Sequence, residues 1–69
     1  MQQIDARGLS CPEPVLRVQT ALRADASGVT ALVDNMASVE NIRRFAAARG
    51  YAFAAEETPE GHRLTLTKA

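Results

Sequence analysis

The sequence predicts an α+β fold, a two-layer α/β sandwich in which two helices cover one face of a mixed four-stranded sheet, in the order βαβαββ. Two segments with apolar residues at helical spacing alternate with short strand-like segments. The last two strand-like segments are separated only by the turn "TPEG", which predicts a hairpin. Two strand-helix-strand crossovers then place both helices on the same side of the sheet.

The first half of the chain predicts one strand followed by one helix. "QQIDA" alternates apolar and polar residues as a brief strand does. Pro12 and Pro14 fit only in the first turn of a helix, so the helix begins at Pro12 or next to it. Its apolar stripe recurs at helical spacing at Val15, Val18, Ala21 and Leu22. We expect Ser27 and Gly28 to end this helix.

The second half predicts a central strand, a helix and the hairpin. "VTALVD" is nearly continuous apolar sequence, as in a central strand covered by helices. "SVENIRRFAAAR" follows as a helix, closed by Gly50. Its apolar stripe consists of Val39, Ile42, Phe45 and Ala46. "YAFAAEE" and "HRLTLTK" alternate as the two hairpin strands.

Composition sets limits on function. The 69 residues, with 46% hydrophobic content, predict one domain spanning residues 1–69. Eight basic residues balance eight acidic ones, so the broad positive field of a nucleic-acid-binding protein is absent. No apolar segment approaches the roughly 20 residues that cross a membrane, and we expect a cytoplasmic protein. One cysteine and one histidine offer no disulfide or metal cluster, and no cofactor is expected.

Cys11 is the residue for which the sequence predicts the most reactive side chain, because it lies at the start of the first helix. The loops "RGLSCP" and "DNMAS" both follow parallel strands, and sites in open α/β sheets collect beyond such strand ends. The dipole at the start of a helix favours a thiolate and lowers the pKa of a thiol. The N–H groups of Glu13 and Val15 are the nearest first-turn donors. Arg7 would favour the thiolate, whereas Glu13 would oppose it.

The residues alone leave two roles open for Cys11: a buried apolar side chain of the core, or an accessible reactive thiol. A lone cysteine is often a buried apolar residue, but one placed between a glycine-bearing loop and a proline-led helix is harder to bury. His62 opens the last strand and is expected to be a solvated hairpin residue, which disfavours a Cys-His hydrolase. No second cysteine lies at CxxC spacing, which excludes a thioredoxin-type dithiol cycle.

Polar residues after the second strand have two interpretations. Asp34 and Asn35 are suited to cap the second helix, which is the favoured role. Alternatively, they orient the Cys11 loop or polarise a reagent that approaches the thiol. Arg43, Arg44 and Arg49 are expected to form a solvated helix face, and they would also suit a docking patch for an acidic partner.

The stretch "DARGLSCPEPVL", continuing to "TAL", resembles the signature of the TusA-like sulfur-carrier family, which includes the SirA-like and YedF proteins. The family's CPxP motif matches Cys11, Pro12, Glu13 and Pro14 position by position. "VDNMASVENIRRFAAARGY" is more similar to the YedF-type branch. Chains of that branch often carry a second domain, and some are associated with selenium metabolism, so a selenium cargo stays open beside sulfur.

The resemblance implies a persulfide carrier. Cys11 would take sulfane sulfur from a cysteine desulfurase or a rhodanese-like protein and pass it to an acceptor protein of a sulfur relay. Asp5, Arg7 and Gly8 would shape the loop that holds Cys11, and Asp34 matches an acidic position near the thiol. An alternative is a noncatalytic regulatory or partner-binding module that keeps the loop for structural reasons. Zero net charge disfavours direct binding to nucleic acid.

Overall fold

A computed structural model of the chain describes residues 2–10 and 12–68. Its elements are β1 (Gln2–Asp5), α1 (Glu13–Ala24), β2 (Gly28–Val33), α2 (Met36–Arg49), β3 (Tyr51–Thr58) and β4 (Gly61–Lys68). The strand order across the sheet is β1-β2-β4-β3. β1 runs parallel to β2, and β4 runs antiparallel to both β2 and β3. The predicted order βαβαββ and the mixed sheet are confirmed.

The ends of the helices follow from local sequence chemistry. Pro12 is the N-cap of α1, and Pro14 lies within its first turn, where a missing N–H group leaves no intrahelical bond unmade. Asn35 caps α2, and Gly50 closes that helix in the left-handed conformation with φ of 77°. That φ favours glycine because a Cβ atom is strained there.

The core lies between the helices and one face of the sheet. α1 packs on β1 and β2, and α2 packs on β3 and β4. Alternate residues of β2 and β4 point into this layer, while their neighbours face the open side of the sheet. The largest fully buried apolar side chains are Ile42, Leu64, Leu66, Val18, Val29, Val33 and Pro14. Most of the predicted helical stripes are buried, with Val15 and Phe45 half-buried at the edge of the core.

The first helix is shorter than predicted. α1 ends at Ala24, and Gly28 already belongs to β2, so the expected termination at Ser27 and Gly28 is wrong. The Asp25 side chain explains the early end, because its Oδ1 accepts hydrogen bonds from the Ser27 N–H at 3.1 Å and the Ser27 hydroxyl at 2.6 Å. Such Asx-type bonds compete with continued helix.

Ion pairs lie on the exposed surface of the described residues. Arg63 and Glu56 form a cross-strand ion pair, and Arg43 pairs with Glu40 along α2. Within residues 2–10 and 12–68, neither helix is long and apolar enough to span a membrane.

Candidate functional site

The loops that follow β1 and β2 are joined by hydrogen bonds. The Ala6 N–H donates to the Leu32 carbonyl at 2.8 Å, which continues the pairing of the two parallel strands. The Gly8 N–H then donates to Asp34 Oδ2 at 2.8 Å. Asp34 therefore anchors the β1–α1 loop, three residues before Cys11, to the end of the neighbouring strand.

Asp5 and Arg7 form a second fastening within the same loop. Arg7 donates its Nε–H to Asp5 Oδ1 at 2.9 Å and its Nη2–H to Asp5 Oδ2 at 2.8 Å. The Arg7 backbone N–H also donates to Asp5 Oδ1 at 3.1 Å. These bonds lower the pKa of Asp5 to about 2, and they raise the pKa of Arg7. Because the Arg7 guanidinium is paired with the Asp5 carboxylate, its positive charge is largely compensated within the loop.

We predict that Asp5→Asn lowers stability near neutral pH and that the difference from the wild type shrinks in acid. The pKa of Asp5 is lower in the folded chain than its ordinary value of 3.8, so folding favours the ionised carboxylate. Its contribution is therefore present above about pH 4 and is lost as the pH falls toward about 2. Urea unfolding of both chains from about pH 6 to about pH 2 measures it. A stability difference independent of pH would contradict this account.

Cys11 itself lies outside the described residues, but the residues on both sides of it are placed. Ser10 and Pro12 are exposed, and Pro12 is the N-cap of α1. The predicted start of the helix beside Cys11 is confirmed. Pro14 is fully buried, so it anchors the start of α1 in the core.

The N–H group of Glu13 is not available as a donor to an anion. It donates to the Ser10 carbonyl at 2.9 Å. The expectation that this N–H is free to bind an anionic sulfur is wrong, because the Ser10 carbonyl accepts it. The Glu13 side chain is exposed in the first turn of α1. The favourable interaction that this position offers to a negative charge is therefore the dipole of α1 and not a hydrogen bond from Glu13.

Asp34 and Asn35 have separate roles. The Asn35 Oδ1 accepts the Ser38 N–H at 2.8 Å, as the predicted N-cap of α2 requires. Its Nδ2 donates to Asp34 Oδ1 at 3.1 Å. Asp34 does not cap the helix; one oxygen holds Asn35 and the other holds Gly8. Of the two interpretations, helix capping therefore describes Asn35 and loop orientation describes Asp34.

We predict that Asn35→Ala destabilises the chain by about 1 kcal/mol, because the N–H of Ser38 loses its acceptor. Asn35→Ser retains a capping oxygen and is the matched control, with an expected loss of only a few tenths of a kcal/mol. Thermal unfolding by circular dichroism measures both. Equal stability of the alanine and serine variants would contradict a capping role.

The β3–β4 turn lies at the same edge of the sheet, which sequence reasoning missed. His62 pairs in register with Val33, the last residue of β2, and it is half-buried rather than fully solvated as expected. Glu60 adds a smaller contribution than Asp5 to the raised pKa of Arg7, which places its charge near the β1–α1 loop. No local signal predicted this, because it depends on β4 lying between β2 and β3.

Gly61 explains how closely this turn approaches the loop after β2. A Cβ atom at Gly61 would lie within 2.9 Å of Asp34 Cα and still closer to the Val33 carbonyl oxygen. Its φ of 144° also disfavours a side chain. The turn therefore packs directly against the backbone of the residue that anchors the Cys11 loop.

Two exposed apolar side chains lie beside this edge. Leu16, in the first turns of α1, is 48% exposed, and Met36, the first residue of α2, is 56% exposed. Both helices begin where the two loops leave the sheet. Among residues 2–10 and 12–68, no three His, Cys, Asp or Glu side chains come together as a metal-binding group. The edge thus combines an anchored loop, two helix starts and apolar contact surface.

Comparison with known proteins places this arrangement in a family. The family described as Sulfurtransferase TusA matches residues 2–68. The chain is 37% identical over 71 residues to a candidate sulfur carrier protein of Methanocaldococcus jannaschii, covering 99% of this chain and 95% of that protein. It is also similar to the crystal structure of a SirA-like protein from Desulfitobacterium hafniense, with a TM-score of 0.88, 38% identity, and coverage of 97% and 96% of the two chains. The chain therefore belongs to the TusA family, as the sequence resemblance predicted, and this membership indicates a role in carrying sulfur.

Proposed function

We propose that this chain carries sulfane sulfur as a persulfide on Cys11, between a donor protein and an acceptor protein. The observation that carries the proposal is the Asp34–Gly8 hydrogen bond, which fastens the loop containing Cys11 to the neighbouring strand. A carrier must present its thiol at a fixed, accessible place to two different partners in turn. Membership in the TusA family supports sulfur as the group that is carried.

The local electrostatics support a reactive thiol at this position. Cys11 directly precedes the N-cap of a 12-residue helix, whose dipole favours a negative charge at its start. The Arg7 charge is compensated by Asp5, and Glu13 adds a negative charge in the first turn. The resulting thiol pKa is expected to fall moderately. Moderate lowering suits transfer, because nucleophilicity decreases as the pKa of a thiol decreases.

The transfer step needs no outside oxidant. The Cys11 thiolate attacks the outer sulfur of a donor persulfide, so a new S–S bond forms on Cys11 while the donor's S–S bond breaks. The donor's inner sulfur leaves as a thiolate with the bonding electron pair. An acceptor thiolate then attacks the outer sulfur on Cys11 in the same manner, and Cys11 returns to its thiolate form.

The apolar residues beside the loop support contact with partner proteins. Leu16 and Met36 are the large apolar side chains exposed among the described residues. Apolar and methionine side chains are common at protein contacts, and methionine adapts to differently shaped partners. A cysteine desulfurase or a rhodanese-like protein is the class of donor proposed, and the acceptor is another sulfur-relay protein.

The proposal is tested by loading the chain from such a donor. The full chain is incubated with a cysteine desulfurase and cysteine, and its intact mass is measured without reductant. We expect a gain of one sulfur atom in the wild type and no gain in Cys11→Ser. A chain that takes up no sulfur from a desulfurase or from a rhodanese-like donor would overturn the proposal.

A noncatalytic regulatory module is the second candidate. It is favoured by the absence, among the described residues, of a hydrogen-bonded acid-base pair at this edge of the sheet beyond the Asp5–Arg7 pair. The pH dependence of alkylation by iodoacetamide separates the two. A carrier is expected to show an apparent thiol pKa below the free-cysteine value of about 8.5, whereas a module with a structural loop would show that value or a higher one.

A further inference from the structure

A concave feature lies at the end of the helices opposite the β1–α1 loop. It is a groove of about 120 Å³ between the last turns of α1 and α2 and the first residue of β3. Its lining consists of Gln19, Leu22, Arg23, Phe45, Arg49 and Tyr51. Both helices begin at the Cys11 edge and end here, so the groove is separate from the proposed sulfur site.

The apolar walls of the groove are held in place. Leu22 is 8% exposed and belongs to the core, and Phe45 and Tyr51 pack against the core from the side. The Tyr51 hydroxyl donates to the Ala26 carbonyl at 2.9 Å, which fixes the orientation of its ring. A cavity of roughly 150 Å³ takes up benzene. The groove is somewhat smaller, so it is limited to about one six-membered ring and excludes a nucleotide.

The rim of the groove is cationic. Arg23 lies in the last turn of α1 and Arg49 in the last turn of α2. The guanidinium of Arg49 lies over the Phe45 ring, 4.9 Å from its centroid. Neither arginine is in an ion pair with another described residue, and no carboxylate of residues 2–10 and 12–68 lines the groove. In contrast, three other arginines each pair with a carboxylate: Arg7, Arg43 and Arg63.

The helix dipole accounts for only part of this arrangement. Cations are favoured at helix C-termini, which explains one arginine in the last turn of each helix. The dipole does not explain why two arginines from different helices line one ring-lined groove without an acidic partner in the described part of the chain. Guanidinium groups bind carboxylates in bidentate geometry, and aromatic walls favour a planar apolar group.

We propose that this groove binds a small carboxylate that carries one aromatic ring. The ring lies against Leu22, Phe45 and Tyr51, and the carboxylate is held by Arg23 and Arg49. The Gln19 amide is available at the rim for a further polar contact. This site is independent of sulfur transfer, because it involves none of the residues near Cys11.

Titration of the full-length chain with phenylacetate tests the ligand class. The chain is ¹⁵N-labelled and carries Cys11→Ser, so that thiol chemistry does not contribute to the signal. We expect saturable NMR shifts at the groove residues and none at Gly8 or Asp34. Acetate, benzyl alcohol and inorganic phosphate serve as probes that keep only the charge or only the ring. Each is expected to bind at least tenfold more weakly than phenylacetate.

Variants test the arginines separately. Arg23→Gln and Arg49→Gln are each expected to weaken phenylacetate binding by about tenfold, a loss of about 1.4 kcal/mol. Arg44→Gln is the matched control, because Arg44 is an exposed arginine of α2 that does not line the groove. Its affinity is expected to equal that of the parent chain. Absence of saturable binding, equal binding of benzyl alcohol or phosphate, or an equal loss in Arg44→Gln would each overturn the proposal.

Discussion

Gly61→Ala is expected to destabilise the chain by about 3 kcal/mol. The added Cβ would overlap the Val33 carbonyl and lie 2.9 Å from Asp34 Cα, both of which are backbone atoms that cannot move aside cheaply. Overpacking costs about 1–3 kcal/mol and unfavourable φ adds about 1–2 kcal/mol. The total free energy of unfolding of a domain of this size is roughly 3–10 kcal/mol. Thermal unfolding should show a midpoint lower by roughly 12–24 °C.

Gly50→Ala provides the matched control for this prediction. Gly50 also has a positive φ, at 77°, but no atom of a described residue lies within 4 Å of the position its Cβ would take. We expect a loss of only about 1 kcal/mol, from backbone strain alone. If both variants lost the same stability, the close approach of the β3–β4 turn to Asp34 would not be the cause.

Asp34→Ala is expected to slow sulfur loading of Cys11 by about tenfold, while the chain remains folded. The substitution removes the acceptor of the Gly8 N–H, and the β1–α1 loop loses its anchor to β2. Small displacements of a reacting group lower rates by up to about a hundredfold. The stability loss should be only about 1 kcal/mol, because both partners are exposed. Single-turnover loading from a desulfurase, followed by mass spectrometry, measures the rate.

Two further variants separate the hydrogen bond from the charge at position 34. Asp34→Asn keeps an oxygen that accepts from Gly8, so we expect loading within about threefold of the wild-type rate. Glu56→Ala removes a carboxylate from the open face of the sheet, where it pairs with Arg63, and should leave loading unchanged. If Asp34→Asn loaded as slowly as Asp34→Ala, the charge rather than the anchor would control the rate.

Local sequence signals predicted most of the fold. Pro12 and Pro14 located the start of α1, because proline is tolerated only in the first turn. Gly50 located the end of α2, where the chain adopts a left-handed φ. The end of α1 was placed too late, because the Asp25–Ser27 hydrogen bonds turn the chain before the glycine.

The candidate site was harder to predict because its contacts are distant along the chain. Position and residue type predicted a site at Cys11 and its loop, which stays a prediction, and Asp34 was given two possible roles. The hydrogen bond between Gly8 and Asp34 spans 26 residues and depends on the parallel pairing of β1 with β2. The approach of Gly61 depends in turn on the insertion of β4 beside β2. Period and turn signals within one segment carry no information about such neighbours.

The most direct test of the central claim is whether Cys11 releases the sulfur it has taken up. The chain is loaded by a desulfurase with isotopically labelled cysteine, separated from the donor and treated with cyanide, which removes the outer sulfur of a persulfide as thiocyanate. We predict about one labelled thiocyanate per loaded chain, recovery of the free Cys11 thiol, and no labelled product from Cys11→Ser. Labelled sulfur that cyanide does not release, or that Cys11→Ser releases equally, would contradict the account.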